Sequence, residues 1–455
     1  MHAPTSGALD TLPITRWHWR FVVLVGLGIF FDLYEVFLGG ILAPVLAVQF
    51  HLDSFGKACV ISAVFAGMFL GANILSMAAD RFGRRRVFMT NLLVYSGFSL
   101  ASAFAPDIVT FCVLRVLSGV GLGAELVLAD TYLAELLPAR SRGKMTAWSY
   151  TIGFLGVPVA AMLGGKLVVQ HSILGLDGWR WLLVFGSFGA LLVLCMRTAL
   201  PESPRWLESR GRSVEAEAVV SAAVAKCPPD SNAQNLSGRQ RSSLCADNSD
   251  VGGPKIKELL AIAYRDHRPR LAMLLIFQVL QTAAYYAFGI LAPLVLINKG
   301  LDIAEALSYS ALSFAGYPLG ALASVLLVDR YERKYLVIAS ALGIAFFGIV
   351  FAGAANVAVA VIAGFLLTVV SNVFSTAMHI YQAEIFPTEI RATASGTAYS
   401  LSRATATLLP FVAIPILTTF GPVGVFWGSA ILIIVLCLDV AILGPRTTGK
   451  KLEQL

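Results

Sequence analysis

Two acidic residues and an arginine lie inside long apolar stretches of this chain, where charged side chains are costly. Asp32 and Glu35 lie three residues apart in the stretch near 20–47, so they share one face of a helix. Arg115 lies in the stretch near 108–136. Because burial favours protonated carboxylates and a guanidinium stays charged, these three residues could bind and release a proton. The alternative is a carboxylate pair that Arg115 neutralises permanently.

A second arginine, Arg403, has no acidic neighbour within two helical turns of its own apolar stretch. A guanidinium can bind the carboxylate of a ligand through two parallel hydrogen bonds, so an anionic substrate is one candidate partner. A salt bridge to Glu125 or Asp130 is the other. Amide and phenol side chains near 271–297 suit a small polar or aromatic metabolite, although ordinary contacts between helices would also use them. We predict six substrate-binding residues: Arg403, Gln278, Gln281, Tyr285, Tyr286 and Glu125.

Enzyme chemistry has no support in this sequence. The chain contains no paired nucleophile and base, no metal-ligand spacing and no nucleotide-binding loop, and its six cysteines form no CxxC motif. Glycines 119, 121 and 123 lie within an apolar stretch, where they favour close helix packing over phosphate binding. We therefore expect a protein that is not an enzyme and needs no cofactor or metal.

The composition indicates the elements that must position these residues. Of the 455 residues, 57% are hydrophobic and 13% are charged, and the mean hydropathy is +0.76; soluble domains carry about 25% charged residues. A membrane span needs roughly 20 apolar residues. We predict an all-α membrane protein with twelve transmembrane helices in the lipid bilayer, near 20–47, 56–79, 87–105, 108–136, 145–169, 179–200, 271–297, 304–328, 335–354, 357–385, 393–418 and 422–443.

The two halves of the chain are related by a shift of 249 positions. This shift carries residues 80–85 (DRFGRR) onto residues 329–334 (DRYERK), and it carries Tyr132 and its neighbours onto Tyr381 and its neighbours. Two motifs in one register indicate a duplicated unit. We predict two pseudo-symmetric six-helix bundles, at residues 1–200 and 270–455, joined by a cytoplasmic linker loop at 201–269. The shift also relates Asp130 to His379. We expect His379 to be a packed polar residue.

The distribution of Lys and Arg predicts the orientation of the chain. Alternate loops are basic, and basic loops stay on the cytoplasmic side during insertion, so both termini and the linker are placed in the cytoplasm of a plasma or inner membrane. Insertion explains the net charge of +7, so no nucleic-acid partner is expected, and we expect a monomer.

Acidic residues lie beside the arginines of the predicted cytoplasmic loops. This pairing favours salt-bridge networks that hold a cytoplasmic gate shut over the alternative that the arginines only anchor the helices to phospholipid. We predict these gate residues: Asp80, Arg81, Gly83, Arg84, Glu135, Arg142, Asp329, Arg330, Arg333, Glu384 and Arg391.

The motif at residues 80–85 resembles the signature loop of the major facilitator superfamily, and residues 201–207 (PESPRWL) resemble the sugar porter branch. Asp32-x-x-Glu35 and Arg403 are similar to residues of aromatic-acid and metabolite proton symporters. The resemblance implies two bundles that rock about a central site. It implies a secondary transporter, with symport of protons and a small organic acid as the expected activity.

Two other functions stay open at this point. The glutamines near 278 would also suit a sugar or polyol porter, or a uniporter. A nutrient receptor that does not transport would signal through residues 201–265, whose middle part, Pro228 to Gly253, has the composition of a flexible linker. A deletion within that part would distinguish the receptor, since a transporter should tolerate it.

Overall fold

The computed structural model describes residues 9, 12–138, 141–168, 172–198, 200–226, 268–328, 330–385 and 388–445. The described chain is helical, and its one β-bridge joins Ile173 to Leu176. The helices of the first half are α1 Arg16–Gln49, α2 Ser54–Phe82, α3 Arg84–Ser102, α4 Ile108–Leu122, α5 Glu125–Leu136, α6 Arg142–Phe154, α7 Gly156–Leu167 and α8 Gly178–Arg197, followed by the short helices α9 Pro204–Ser209 and α10 Ser213–Val224. Those of the second half are α11 Arg268–Asn298, α12 Ile303–Phe314, α13 Gly316–Val328, α14 Arg333–Gly353, α15 Val357–Ile385 and α16 Thr388–Leu443.

All twelve predicted spans correspond to these helices, which confirms the all-α membrane fold. The fourth, fifth and eighth spans are each divided into two consecutive helices. The last two spans form α16, which bends at Gly421. The φ angle there is +70°, which glycine adopts without the strain that a Cβ would cause. Nine segments of the described residues are long and apolar enough to cross a membrane, with α16 counted once.

The duplication is visible in the caps that start the helices. Asp53 Oδ1 accepts a hydrogen bond from the Gly56 N–H at 2.7 Å, and Asp302 Oδ1 accepts one from the Glu305 N–H at 2.7 Å. The shift of 249 also relates Asp107 to Asn356, and both accept backbone N–H groups at the start of a helix. These side chains satisfy donors that the first helical turn leaves free.

Glycines allow the helices of each half to pack closely. A Cβ added at Gly67 or Gly71 would lie about 2 Å from a carbonyl oxygen of α4. Gly316 and Gly320 of the second half meet α15 in the same way. Gly119 packs against α2, which confirms the packing role predicted for this part of the chain. Since lipid provides no hydrophobic drive between helices, such close backbone contact stabilises the bundle.

The two halves meet tightly at one end of the bundle. We call the end at which α1 begins and α8 ends the terminal end, and the opposite end the distal end. Toward the distal end a Cβ at Gly40 would lie 2.4 Å from the Ile290 carbonyl oxygen, and Phe55 contacts Phe411 with ring centroids 5.4 Å apart. The halves are therefore closed toward the distal end.

Candidate functional site

Glu35 of α1 and Arg115 of α4 form a buried ion pair. Arg115 Nη1 lies 2.5 Å from Glu35 Oε2, and its Nη2 donates to the Glu35 carbonyl oxygen at 2.8 Å. Ser99 of α3 donates to the other carboxylate oxygen at 2.7 Å. The Glu35 and Arg115 side chains are 0% and 1% exposed. Both oxygens of this carboxylate therefore have a partner, and its charge is balanced.

A second buried ion pair joins Glu125 of α5 to Arg197 of α8, with 2.6 Å between Glu125 Oε1 and Arg197 Nη1. The Arg197 guanidinium also lies over the Phe88 ring, 3.7 Å from its centroid. Asp32 lies beside this pair and is 3% exposed. Neither Asp32 oxygen has a hydrogen-bond partner within the described residues. The two acidic residues of α1 thus differ: Glu35 is paired and Asp32 is not.

Arg403 of α16 lies in a small cavity of the second half. Its Nη1 donates to the Tyr286 hydroxyl at 2.6 Å, and its Nη2 donates to the Tyr399 hydroxyl. The arginine is 3% exposed, and no carboxylate of the described chain lies within ion-pair distance of it. A buried guanidinium with only neutral partners can accept an anion.

Five of the six predicted substrate residues line this cavity of about 50 Å³. They are Arg403, Gln278, Gln281, Tyr285 and Tyr286. Glu125, the sixth, lies elsewhere, because Arg197 holds it inside the first half. The expectation that His379 is a packed polar residue is wrong, since its side chain is exposed and lines the cavity.

The glutamines of the cavity wall form a continuous hydrogen-bonded chain. Gln281 Nε2 donates to Gln278 Oε1 at 2.9 Å, and Gln278 Nε2 donates to Gln382 Oε1 at 2.7 Å. Thr282 Oγ1 donates to the Gln278 carbonyl oxygen at 2.6 Å. This chain fixes the amides of Gln278 and Gln281 on the cavity wall, where they could recognise hydroxyl or ring-nitrogen groups.

Asp130 and Tyr150 of the first half face this cavity from the terminal end. The Tyr150 hydroxyl donates to Asp130 Oδ1 at 2.8 Å. The Asp130 side chain is exposed, although protein surrounds it closely enough for its charge to act on Tyr399 of the other half. Asp130 of the first half therefore lies close enough to Tyr399 of the second half for the two side chains to interact electrostatically.

The predicted gate residues that the structure describes lie at the terminal end. Arg84 Nη2 lies 3.7 Å from Glu135 Oε1, a contact between α3 and α5 within the first half. Arg142 donates to the Leu137 carbonyl oxygen at 3.4 Å. Gly83 has φ +107° in the turn between α2 and α3. Arg81 lies in the last turn of α2, Arg333 begins α14, and Arg330 lies in the turn before α14. Asp329 and the side chains of Asp80, Glu384 and Arg391 lie outside the described residues.

The duplicated motifs hold the last helix of each half in place. The Tyr132 hydroxyl donates to the Pro201 carbonyl oxygen, and its repeat partner Tyr381 donates to the Pro445 carbonyl oxygen at 2.8 Å. Arg85 donates to the carbonyl oxygen of Thr198, and its repeat partner Lys334 donates to those of Ala441 and Gly444. The equivalent tyrosines and basic residues thus bind the backbone at the end of α8 in the first half and at the end of α16 in the second.

Sequence reasoning missed Arg197, Tyr399 and Tyr150. Arg197 lies at the basic end of a span, where arginines were explained by membrane insertion, so its buried pairing had no local signal. The shift of 249 relates Tyr150 to Tyr399, and this relation could have identified them. No group of three metal-ligating residues occurs in the described ranges.

Two pseudo-symmetric helical halves that meet tightly at one end, with buried ion pairs in the first and a polar cavity in the second, define a multi-pass membrane transporter of the major facilitator superfamily, which is not an enzyme. Residues 45–455 match the sugar (and other) transporter family, and the chain belongs to it.

Named relatives agree with this assignment. YyaJ of Bacillus subtilis, named for metabolite transport, is 29% identical over 98% of this chain and 96% of its own. The niacin transporter NiaP of Acinetobacter baylyi is 27% identical over 98% of both chains. The structure of the Escherichia coli xylose transporter XylE, described as partially occluded and inward open, gives a TM-score of 0.77 at 19% identity, over 96% of this chain and 100% of that one. The likeness to XylE shows the fold alone.

Proposed function

We propose that this protein is a proton-coupled symporter of a small organic acid, working by alternating access in a cell membrane with both termini in the cytoplasm. The observation that carries the proposal is the placement of Arg403: fully inside the cavity, bonded to the two phenols of Tyr286 and Tyr399. A desolvated guanidinium is stabilised by an anion, and a substrate carboxylate would fit between the phenols and the glutamine chain.

Proton coupling is supported by the acidic residues of α1. Asp32 and Glu35 are both buried in a helix long enough to span the membrane, and intramembrane carboxylates are functional by default. Arg115 holds Glu35 at 2.5 Å, so movement of α4 against α1 would change how strongly Glu35 is held. An anion entering with a proton would cross as a neutral pair.

Direct transport assays test the proposal. The full-length protein is reconstituted in liposomes, and accumulation and exchange are measured for nicotinate and xylose, the solutes that the relatives' names suggest, and for nicotinamide as the uncharged counterpart of nicotinate. An inward proton gradient should drive accumulation of the acid, and a protonophore should abolish that accumulation. Nicotinate accumulation that neither the proton gradient nor the protonophore changes would contradict proton coupling.

A sugar or polyol porter is the second candidate, and the chain Gln281–Gln278–Gln382 favours it because amides are suited to hydroxyl groups. The two candidates respond differently to Arg403→Gln. An acid transporter should lose nicotinate exchange and keep its fold. A sugar porter should exchange xylose at a rate close to that of the unmodified protein, because no carboxylate needs the guanidinium.

A further inference from the structure

A second polar cluster lies in the first half, apart from the Glu35–Arg115 pair and from the Arg403 cavity. It consists of Asp32, Asn91, Tyr95, Glu125 and Arg197, contributed by α1, α3, α5 and α8, and all five are buried. The hydrogen bond between Arg197 Nη1 and Glu125 Oε1 is the short ionic contact of the cluster. Eight other polar atoms of these side chains have no hydrogen-bond partner among the described residues: both Asp32 oxygens, both Asn91 side-chain atoms, the Tyr95 hydroxyl, Glu125 Oε2, and Arg197 Nε and Nη2.

This many polar atoms without hydrogen-bond partners in one buried cluster indicate that the cluster binds a ligand or changes its hydrogen bonds in another conformation. Buried polar groups are normally satisfied, because an unmet donor or acceptor costs about 1–3 kcal/mol. The Tyr95 hydroxyl is near Asp32 and the Asn91 amide is near Glu125, each outside hydrogen-bond geometry. Small movements would therefore complete bonds that this conformation leaves open.

The charges of the cluster do not balance. Asp32 and Glu125 offer two carboxylates, whereas Arg197 offers one guanidinium, so full ionisation would leave a net negative charge inside the bundle. The charged or titratable side chains that act on Asp32 are Glu125, Arg197, Tyr95 and Glu35. Arg115 balances Glu35, and Arg197 is bonded to Glu125. One proton on Asp32 makes the whole cluster neutral.

We propose that Asp32, Glu125 and Arg197 form one proton-binding site, in which Asp32 carries the proton and Arg197 is shared between the two carboxylates. With Asp32 protonated, Arg197 pairs with Glu125, as seen here. When the proton leaves to water, Arg197 Nε and Nη2 are free to bond the Asp32 oxygens. Arg197 is thus a positioning residue that links proton release to the position of α8. That this proton is the one coupled to transport rests on the proposed function; its binding to the cluster does not.

Gly28 makes the sharing of Arg197 possible. A Cβ at this position would lie 1.6 Å from Arg197 Nη2, so the guanidinium passes across α1 in the space that glycine leaves. The Phe88 ring supports the other face of the guanidinium. The Arg197 guanidinium is therefore held between Gly28 and the Phe88 ring, where it can bond side chains of α1 as well as Glu125 of α5.

Proton binding can be measured without any solute. The purified full-length protein is titrated in weakly buffered detergent with the pH dye pyranine, and the curve of Asp32→Asn is subtracted from that of the unmodified protein. We expect a difference of one proton per chain. When both curves are repeated with Arg197→Gln, the midpoint of the difference should rise by about one pH unit or more, because a stabilising positive charge is lost. With Glu125→Gln it should fall, because Arg197 then serves Asp32 alone.

Several results would overturn the proposal. These are no proton difference for Asp32→Asn, an unmoved midpoint, or shifts of the same sign for Arg197→Gln and Glu125→Gln. If Arg197→Gln does not fold, Glu125→Gln alone must lower the midpoint, and Arg197→Lys should raise it less than one unit. Asp439→Asn is the matched control, since Asp439 is a buried carboxylate of α16 with one unbonded oxygen. It should leave the Asp32 difference unchanged.

Transport assays separate this inference from the proposed function. Opposite midpoint shifts, together with an absence of proton-driven accumulation in the unmodified protein, would leave the site standing and remove the symport proposal. Proton-driven nicotinate accumulation that Asp32→Asn leaves intact would support symport and show that the coupled proton is not the one on Asp32. If both hold, Asp32→Asn should keep nicotinate exchange and lose accumulation.

Discussion

The Glu35 carboxylate is bonded to Arg115 at 2.5 Å, while Asp32, one turn earlier on the same helix, has no hydrogen-bond partner in the described part of the chain. The spacing of three residues places both on adjacent positions of α1 but directs them to different neighbours. Glu35 meets α3 and α4, whereas Asp32 meets the cluster around Arg197. The two carboxylates therefore have different environments: Glu35 is bonded to a cation, whereas neither Asp32 oxygen has a hydrogen-bond partner among the described residues.

Arg115 and Arg403 should respond differently to loss of charge. Arg115→Gln leaves Glu35 buried without a cation, which costs about 3–5 kcal/mol. Arg403→Gln strands no carboxylate, and the loss of its bonds to two phenols is offset by the guanidinium that no longer has to be desolvated. We expect its free energy of unfolding to stay within about 1 kcal/mol of the unmodified protein. Thermal unfolding in detergent measures both, and equal destabilisation would refute the difference in their environments.

Gly28→Ala should displace Arg197. The added methyl group occupies the position of Arg197 Nη2, so we expect a loss of about 1–3 kcal/mol from overpacking. Gly97→Ala in α3 is the control, because a Cβ there meets nothing within 4 Å and alanine is the better helix former. Comparison of the two thermal midpoints checks the prediction. An equal or higher midpoint for Gly28→Ala would show that Arg197 has room to move aside.

Tyr132→Phe and Tyr381→Phe should have similar effects, because each removes a hydroxyl that donates to a proline carbonyl at the end of a half. We expect each to lower the free energy of unfolding by about 1 kcal/mol. Since the two tyrosines lie in different halves, their effects should add in the double variant. Denaturant-dependent unfolding measures the three variants, and a double variant no worse than either single variant would contradict independent roles.

Acidification should weaken the distal end at Asp177, which precedes α8. The hydrogen bond from Gln49, followed by that from Arg180, lowers the pKa of the Asp177 carboxyl below its ordinary value of 3.8. A lowered pKa stabilises the fold above the ordinary value, and this stabilisation is lost as the pH falls through the lowered one. Because Asp177 is 42% exposed, the effect is less than about 1 kcal/mol. The thermal midpoint of Asp177→Asn should lie slightly below that of the unmodified protein at pH 7, and the gap should close as the pH falls below 3.8 and through the lowered pKa.

Much of the fold was predictable because lipid imposes strict rules. Hydropathy located the helices, since a span must be apolar over its whole length, and the repeat of 249 residues showed the two halves. The breaks at Leu155 and Ala315 were not visible, because a helix interrupted by one residue keeps the same hydropathy. The bend at Gly421 follows from a positive φ that the sequence permits but does not require.

The site was predictable where a charged or polar residue within an apolar span had to face the interior of the bundle. Arg403 with Gln278, Gln281, Tyr285 and Tyr286 could be grouped because buried polar residues of membrane helices face the interior. The grouping of Glu125 with them did not match the structure, since sequence position does not reveal which arginine an acid will meet. Arg197 was hidden by its place at the basic end of a span.

From the amino-acid order alone came the membrane environment, the count of spans, the duplication and the list of buried charges, because each depends on local hydropathy and residue type. Which charges meet was decided by tertiary structure. Glu35 and Arg115 are 80 residues apart in sequence, and Arg197 lies 72 from Glu125, yet the crossing of α1, α4, α5 and α8 brings each pair within 2.6 Å. Helix packing selects those partners, since an ion pair inside a bundle forms only where two backbones bring the side chains into reach.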